Sequence, residues 1–207
     1  MSFITFEGIE GCGKSTQVRR LAERLGARAV ETREPGGTAI GQAVRGVLLD
    51  PKNLGLAPMT ELLLYFADRA QHMAEVVKPA LAERRIVLCD RHVESSLAYQ
   101  GYGRGLPLDA IRALGTLATG GLRPDAIVLF DVPVELGLAR ARRRGAQDRL
   151  EGEVLEFHER VRAGYEALLA AEPARWIRVD GGGPADEVFE ALWRALAGRG
   201  LVTGAAA

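Results

Sequence analysis

The stretch Phe3-Ile4-Thr5-Phe6-Glu7-Gly8-Ile9-Glu10-Gly11-Cys12-Gly13-Lys14-Ser15-Thr16 decides the fold. Residues 3–6 are a short β-prone run that stops at Gly8. Residues 8–15 then match glycine, four residues, Gly-Lys-Ser without a gap. Behind them Val18, Leu21, Ala22 and Leu25 recur at helical spacing, which predicts a helix over 15–25. Strand, glycine loop and helix are the context that a phosphate-binding loop requires. Glycines let the backbone wrap closely enough for its N–H groups to face phosphate oxygens. The helix adds its positive end. Lys14 is expected to neutralise the β- and γ-phosphates, and the Ser15 hydroxyl to ligate Mg²⁺. The ATP-binding set is thus Gly8, Ile9, Glu10, Gly11, Cys12, Gly13, Lys14, Ser15 and Thr16. Cys12 reads as a side chain small enough for the loop rather than as a reactive thiol. The motif specifies a nucleoside triphosphate and leaves open what happens to it.

Working outward, short apolar runs alternate with amphipathic stretches. Strands are expected at 27–32, 86–89, 126–130 and 176–179. Helices are expected at 40–49, 60–77 with Pro79 ending it, 108–119, 134–144, 154–171 and 185–196. Residues 101–105 and 145–152 are glycine-rich and read as loops. Fully apolar strands between helices mean a parallel sheet covered on both faces. The expected fold is therefore α/β, a three-layer αβα phosphate-loop NTPase with about five parallel strands. The whole of 1–207 reads as one domain, the length suiting a single core.

Composition narrows the partners. Hydrophobic residues are 47% and charged residues 26%, which excludes a disordered or fibrous chain. Lys plus Arg and Asp plus Glu are both 27, so the chain lacks the basic surplus of a protein that holds nucleic acid electrostatically. No apolar run approaches the roughly 18 residues of a membrane span. Two cysteines, Cys12 and Cys89, make no disulfide framework, and no leader-like segment precedes the first strand. A cytoplasmic location is expected. His72, His92 and His158 have no metal-binding spacing.

Asp90-Arg91 closes a buried strand at its carboxyl end, where ligands bind in an open parallel sheet. Arg91 can hold a monophosphate bidentately. Asp90 is placed to meet Mg²⁺ directly or through water. Four further segments stand in order with the phosphate loop: Thr32-Arg33-Glu34-Pro35-Gly36-Gly37, Tyr65-Phe66-Ala67-Asp68-Arg69-Ala70-Gln71-His72, Asp90-Arg91-His92 and Ser95-Ser96-Leu97-Ala98-Tyr99-Gln100-Gly101. With them the chain resembles the bacterial thymidylate kinases from Phe3 to about Tyr165. That family transfers the γ-phosphate of ATP to dTMP.

The resemblance implies an acceptor site for dTMP. Arg33, Glu34 and Arg45 would flank the nucleotide, and Arg91 would hold its phosphate. Tyr65 stands four residues before Arg69, where the family usually stacks Phe on thymine. Phe66 would point about 100° away. Arg69 would donate to a thymine carbonyl. Ser96 and Gln100 stand where the family reads the base edge or reaches the phosphate side, and Tyr99 where a ring crowds the sugar 2′ position. Glu10 is repulsive toward phosphates unless something hydrogen-bonds it; the family supplies the sugar 3′-hydroxyl or a nearby arginine. A homodimer is likewise implied.

Arg140, Arg142, Arg143, Arg144 and Arg149 fall within ten residues, and Gly145 and Gly152 bracket the end of the cluster like hinges. Some family members carry a catalytic arginine in the phosphate loop and others in a lid. Here Ile9, Glu10 and Cys12 fill the loop, so a mobile Arg-rich lid over about 140–152 is expected. Arg144 is its first catalytic candidate and Arg149 its second, with Arg140 and Arg142 facing triphosphate or solvent. The catalytic set is then Lys14, Arg91, Arg144, Arg149 and Glu10. The competing readings are another nucleoside monophosphate or deoxynucleoside kinase, and a nucleotide-dependent regulatory ATPase.

Overall fold

The computed structural model describes residues 2–143, 145 and 148–203. Five parallel strands are β1 (Phe3–Glu7), β2 (Ala29–Arg33), β3 (Ile86–Asp90), β4 (Ala126–Asp131) and β5 (Trp176–Asp180). They lie in the order β2-β3-β1-β4-β5. The first strand is thus central, with Phe6 opposite both Asp90 and Val128. Strand residues alternate between faces. Ile4, Phe6 and Leu88 join the larger core, whereas Phe3, Val87 and Cys89 join a smaller one on the other face.

The helices are α1 (Lys14–Leu25), α2 (Ala39–Leu49), α3 (Pro58–His72), α4 (Lys78–Ala82), α5 (Val93–Ser96), α6 (Leu108–Thr119), α7 (Val134–Arg142), α8 (Leu155–Ala171) and α9 (Ala185–Gly198). Valine, leucine and glutamine at helical spacing bury one face of α1. Thr38 caps α2, its hydroxyl accepting from the Gly41 N–H at 2.9 Å.

Two expectations are corrected. Pro79 does not end the third helix. A π turn at Met73–Val77 follows α3, and the helical backbone runs on through Pro79 in the first turn of α4. Residues 101–105 are not simply a loop. The π-helical segment Leu97–Gly103 continues directly from α5. Its glycines serve close packing: a Cβ at Gly101 would meet Leu108 Cδ2 at 2.4 Å, and one at Gly103 would meet Phe157 Cε2 at 2.7 Å. The helix predicted over 134–144 is described as far as Arg142.

Candidate active site

The loop between β1 and α1 needs its glycines. Gly8, Gly11 and Gly13 have φ of 142°, 69° and 89°, conformations that L side chains rarely adopt. Gly11 also faces Gly137 of α7, whose carbonyl oxygen would lie 1.9 Å from an added Cβ. The loop is thereby pressed onto a helix with nothing but backbone between. At its end Lys14 Nζ lies 3.0 Å from Asp90 Oδ1, and Ser15 Oγ donates to Asp90 Oδ2 at 2.7 Å. Burial would raise the Asp90 pKa, but Lys14, Arg91 and Ser15 outweigh it and hold the carboxyl below its usual range. The strand-end acid is an ionised oxygen donor beside the loop.

Arg91 follows it with a left-handed φ of 73°, which turns its side chain back over the phosphate loop. Its guanidinium meets Glu10 Oε1 at 3.1 Å, the Tyr99 hydroxyl at 3.0 Å and Ser95 Oγ at 3.2 Å. Tyr99 donates to the same Glu10 oxygen at 2.6 Å. His158 Nδ1 lies 3.4 Å from the other. Burial would raise the Glu10 pKa; His158, Arg91 and Tyr99 outweigh it and hold the carboxyl down to about 2. The partner that a carboxylate in this loop requires is therefore Arg91, with Tyr99.

Behind this layer stands Glu7, the last residue of β1. It accepts from the His92 N–H at 2.8 Å, Ser95 Oγ at 2.5 Å and the Tyr165 hydroxyl at 2.9 Å. Complete burial, with Glu94 nearby, pushes its pKa up to about 7 despite these bonds. Glu7 thus pins the turn that carries Arg91.

After β2, Glu34 is buried with Arg69 Nε at 2.7 Å and His72 Nδ1 at 2.8 Å. Arg69, 1% exposed, also donates to Ser96 Oγ and the His92 carbonyl. Burial would raise the Glu34 carboxyl, but Arg69 and His92 hold it well below the usual range. Asp68 accepts from the Gly36 N–H at 2.9 Å and fixes the turn after β2. Arg45 donates to the Pro35 carbonyl at 3.0 Å. Glu34, His72 and Cys89 lie close enough to hold a cation, but both imidazole nitrogens are engaged, by Thr32 and Glu34, and Glu34 is paired with Arg69. Hydrogen bonding already uses that cluster.

One cavity of about 580 Å³ joins these parts. Its wall includes residues 9–16, Asp90 and Arg91, together with Arg33, Glu34, Arg45, Tyr65, Arg69, Ser96, Tyr99 and Gln100. Tyr65 lines it and Phe66 does not; Phe66 packs 4.6 Å from the Arg69 guanidinium instead.

The arginine cluster divides. Arg140 grips the turn after β5, donating to the Gly181 and Gly182 carbonyls at 2.7 and 2.9 Å. Arg142 and Arg143 are exposed, and Arg144 lies outside the described residues. Arg149 is buried; it donates to Glu61 at 2.5 Å and to the Leu48 carbonyl at 2.8 Å, and is not part of the cavity wall. Residues that the motifs did not single out are Glu7, Glu61, Asp68, Gly137, His158 and Tyr165. Glu7 carried a signal, a carboxylate ending a run of apolar strand residues; the others sit in ordinary helical patterns.

A family model described as thymidylate kinase matches residues 6–192. The thymidylate kinase of Solidesulfovibrio magneticus is 50% identical over 201 residues, covering 92% of this chain and 96% of that one. That of Geobacter sulfurreducens is 54% identical over 188 residues, covering 86% and 88%. The crystal structure of the Ehrlichia chaffeensis thymidylate kinase superposes with a TM-score of 0.77 at 34% identity, covering 94% of this chain and 98% of that one. A strand-bound phosphate loop opening into an arginine-lined cavity, in a chain so matched along most of its length, means that this protein belongs to the thymidylate kinase family.

Proposed function

We propose that the chain transfers the γ-phosphoryl group of ATP to the 5′-phosphate of dTMP, giving dTDP and ADP. The observation that carries this reading is the single cavity shared by the phosphate loop and the acceptor pocket, with Arg91 between them. A regulatory ATPase needs only the first half.

Phosphoryl transfer is mostly positioning and charge compensation. Backbone N–H groups of the loop and Lys14 would hold the ATP phosphates. Arg91 would hold the acceptor phosphate, its guanidinium already oriented by Glu10, Ser95 and Tyr99. Glu10, kept ionised, can accept from a sugar hydroxyl on its remaining lone pairs. Arg33 and Arg45 add positive charge at the mouth. Ser15 Oγ and Asp90 Oδ2 form a hard oxygen pair of the kind that suits Mg²⁺, and would hold it. Bound there, Mg²⁺ would offset charge on the transferring group. Arg144 would supply the remaining positive charge from the lid, with Arg149 anchoring the base of that segment to Glu61 and Leu48.

A homodimer is part of this reading. α2, α3 and α6 pack side by side, and Ile40, Val47, Met59, Leu63 and Leu117 on them are exposed. Exposed apolar side chains on three adjoining helices suit a second copy. Among the described residues no helix is long and apolar enough to cross a membrane.

The test is ADP release from ATP and Mg²⁺ with a panel of nucleoside monophosphates. Release that depends on dTMP and yields dTDP is expected. Release indifferent to any monophosphate would contradict the reading and favour a regulatory ATPase.

A further inference from the structure

Glu61 sits in α3 one turn before Tyr65, outside every motif, yet it is fully buried. Four side-chain donor atoms converge on it. Gln100 Nε2 donates to Oε1 at 2.8 Å, Arg104 Nε to Oε1 at 3.3 Å, Arg104 Nη2 to Oε2 at 3.2 Å and Arg149 Nη2 to Oε2 at 2.5 Å. Two guanidinium groups on one carboxylate keep it charged, and a charged carboxylate only accepts hydrogen bonds.

That fact settles the polarity of the Gln100 amide. A glutamine side chain can present either its NH₂ or its carbonyl in a given direction. Facing an ionised carboxylate, only the NH₂ is tolerable. Gln100 Oε1 is therefore turned the other way. Among the described residues no hydrogen bond reaches it, and Gln100 lines the cavity. In the same wall Arg69 offers only donors; its Nη1 bonds Ser96, one helical turn before Gln100. The wall thus presents a donor beside an acceptor. A pyrimidine with a carbonyl beside an N3–H matches that pair. Cytosine, with an amino group beside a bare N3, presents the reverse.

We propose that Glu61 is a positioning residue for base selection: it locks Gln100 with its carbonyl toward the base and so selects pyrimidines that carry an N3–H. The proposal rests on the dTMP reading above and adds the residue that sets its specificity. Glu61 does not touch the substrate; it acts through Gln100.

E61Q is the test, since a neutral amide in place of the carboxylate can offer Gln100 either a donor or an acceptor, and the lock is lost. The ratio kcat/KM is measured for dTMP, dUMP and dCMP, beside KM for ATP and thermal unfolding. The dTMP-to-dCMP ratio should fall by about tenfold or more, equivalent to ~1.4 kcal/mol or one hydrogen bond. The dTMP-to-dUMP ratio should hold, because both bases carry the N3–H. KM for ATP reports separately on the segment that Arg149 anchors to the same carboxylate. R104Q is the structural control: it removes an ion pair from the same carboxylate but leaves Gln100 bonded and Arg149 in place. It should lower the melting temperature and keep the dTMP-to-dCMP ratio. An E61Q protein that melts lower with an unchanged ratio would overturn the proposal. If E61Q does not fold, the wild type decides with 3-methyl-dTMP, which has no N3–H. Loss of about tenfold or more relative to dTMP supports the proposal, and equal use overturns it. A wild type that phosphorylates no thymine nucleotide at all would instead overturn the reading on which the proposal rests.

Discussion

Tyr65 and Phe66 are neighbours on one helix with different work. Tyr65 lines the cavity, whereas Phe66 is turned into the packing between α3 and α6, 3.8 Å from where a Gly115 Cβ would stand. Tyr65→Ala should weaken dTMP by about 5- to 150-fold and spare ATP, since stacking on a base is worth roughly 1–3 kcal/mol. Tyr65→Phe should be nearly silent. Phe66→Ala should cost about 3–5 kcal/mol of stability and leave the ratio of dTMP to ATP affinity alone. Calorimetric titration of both ligands decides; selective loss of dTMP in Phe66→Ala would place the base on the wrong side of the helix. Glu7 makes a second residue-scale prediction. Its native pKa of about 7 stands above the ordinary 4.5, so the folded chain keeps this proton to higher pH than the unfolded chain. Stability is therefore lost as pH rises from about 4.5 to 7, by up to roughly 3 kcal/mol, and is level above that. Glu7→Gln has no proton to lose. Its melting temperature relative to wild type should climb by several degrees across that window. Parallel melting curves against pH would show that Glu7 does not titrate there.

Among the elements, the phosphate loop and α7 meet backbone to backbone. A Cβ at Gly137 would lie 2.5 Å from the Glu10 carbonyl oxygen and 2.9 Å from Ile9 Cδ1. Gly137→Ala must push the loop, and overpacking of that size costs about 1–3 kcal/mol. KM for ATP should rise about 5- to 150-fold with a smaller change for dTMP; unchanged ATP kinetics would mean that α7 does not set the loop's position. The sequence pattern revealed the loop because its glycines, lysine and serine each have a chemical reason to be there. It revealed β1, β3 and β4 because strands buried on both faces are mostly apolar, here up to the acid that ends each. Gly137 was not legible: its reason is a neighbour more than a hundred residues away. Pro79 misled because the π turn that accommodates it has no sequence signature. Glycines at 101 and 103 suggested a loop, but they make room for Leu108 and Phe157. Charge clustering suggested an Arg-rich lid over 140–152, yet Arg140 and Arg149 spend their donors on carbonyls and on Glu61.

For the whole molecule, the order β2-β3-β1-β4-β5 puts the carboxyl ends of β1, β2 and β3 side by side. The loops leaving them carry the phosphate loop, the Glu34–Gly37 turn and the Asp90–Arg91 pair. The topology therefore brings these three loops onto one cavity, in which Arg91 meets Glu10 of the phosphate loop; on the proposed reading ATP and dTMP share it. The most direct measurement of that claim uses one molecule in which adenosine and thymidine are joined 5′ to 5′ by a polyphosphate chain. Inhibition competitive against ATP and competitive against dTMP is expected, each alone displacing the ligand. Displacement by ATP with no effect of dTMP would contradict the shared cavity.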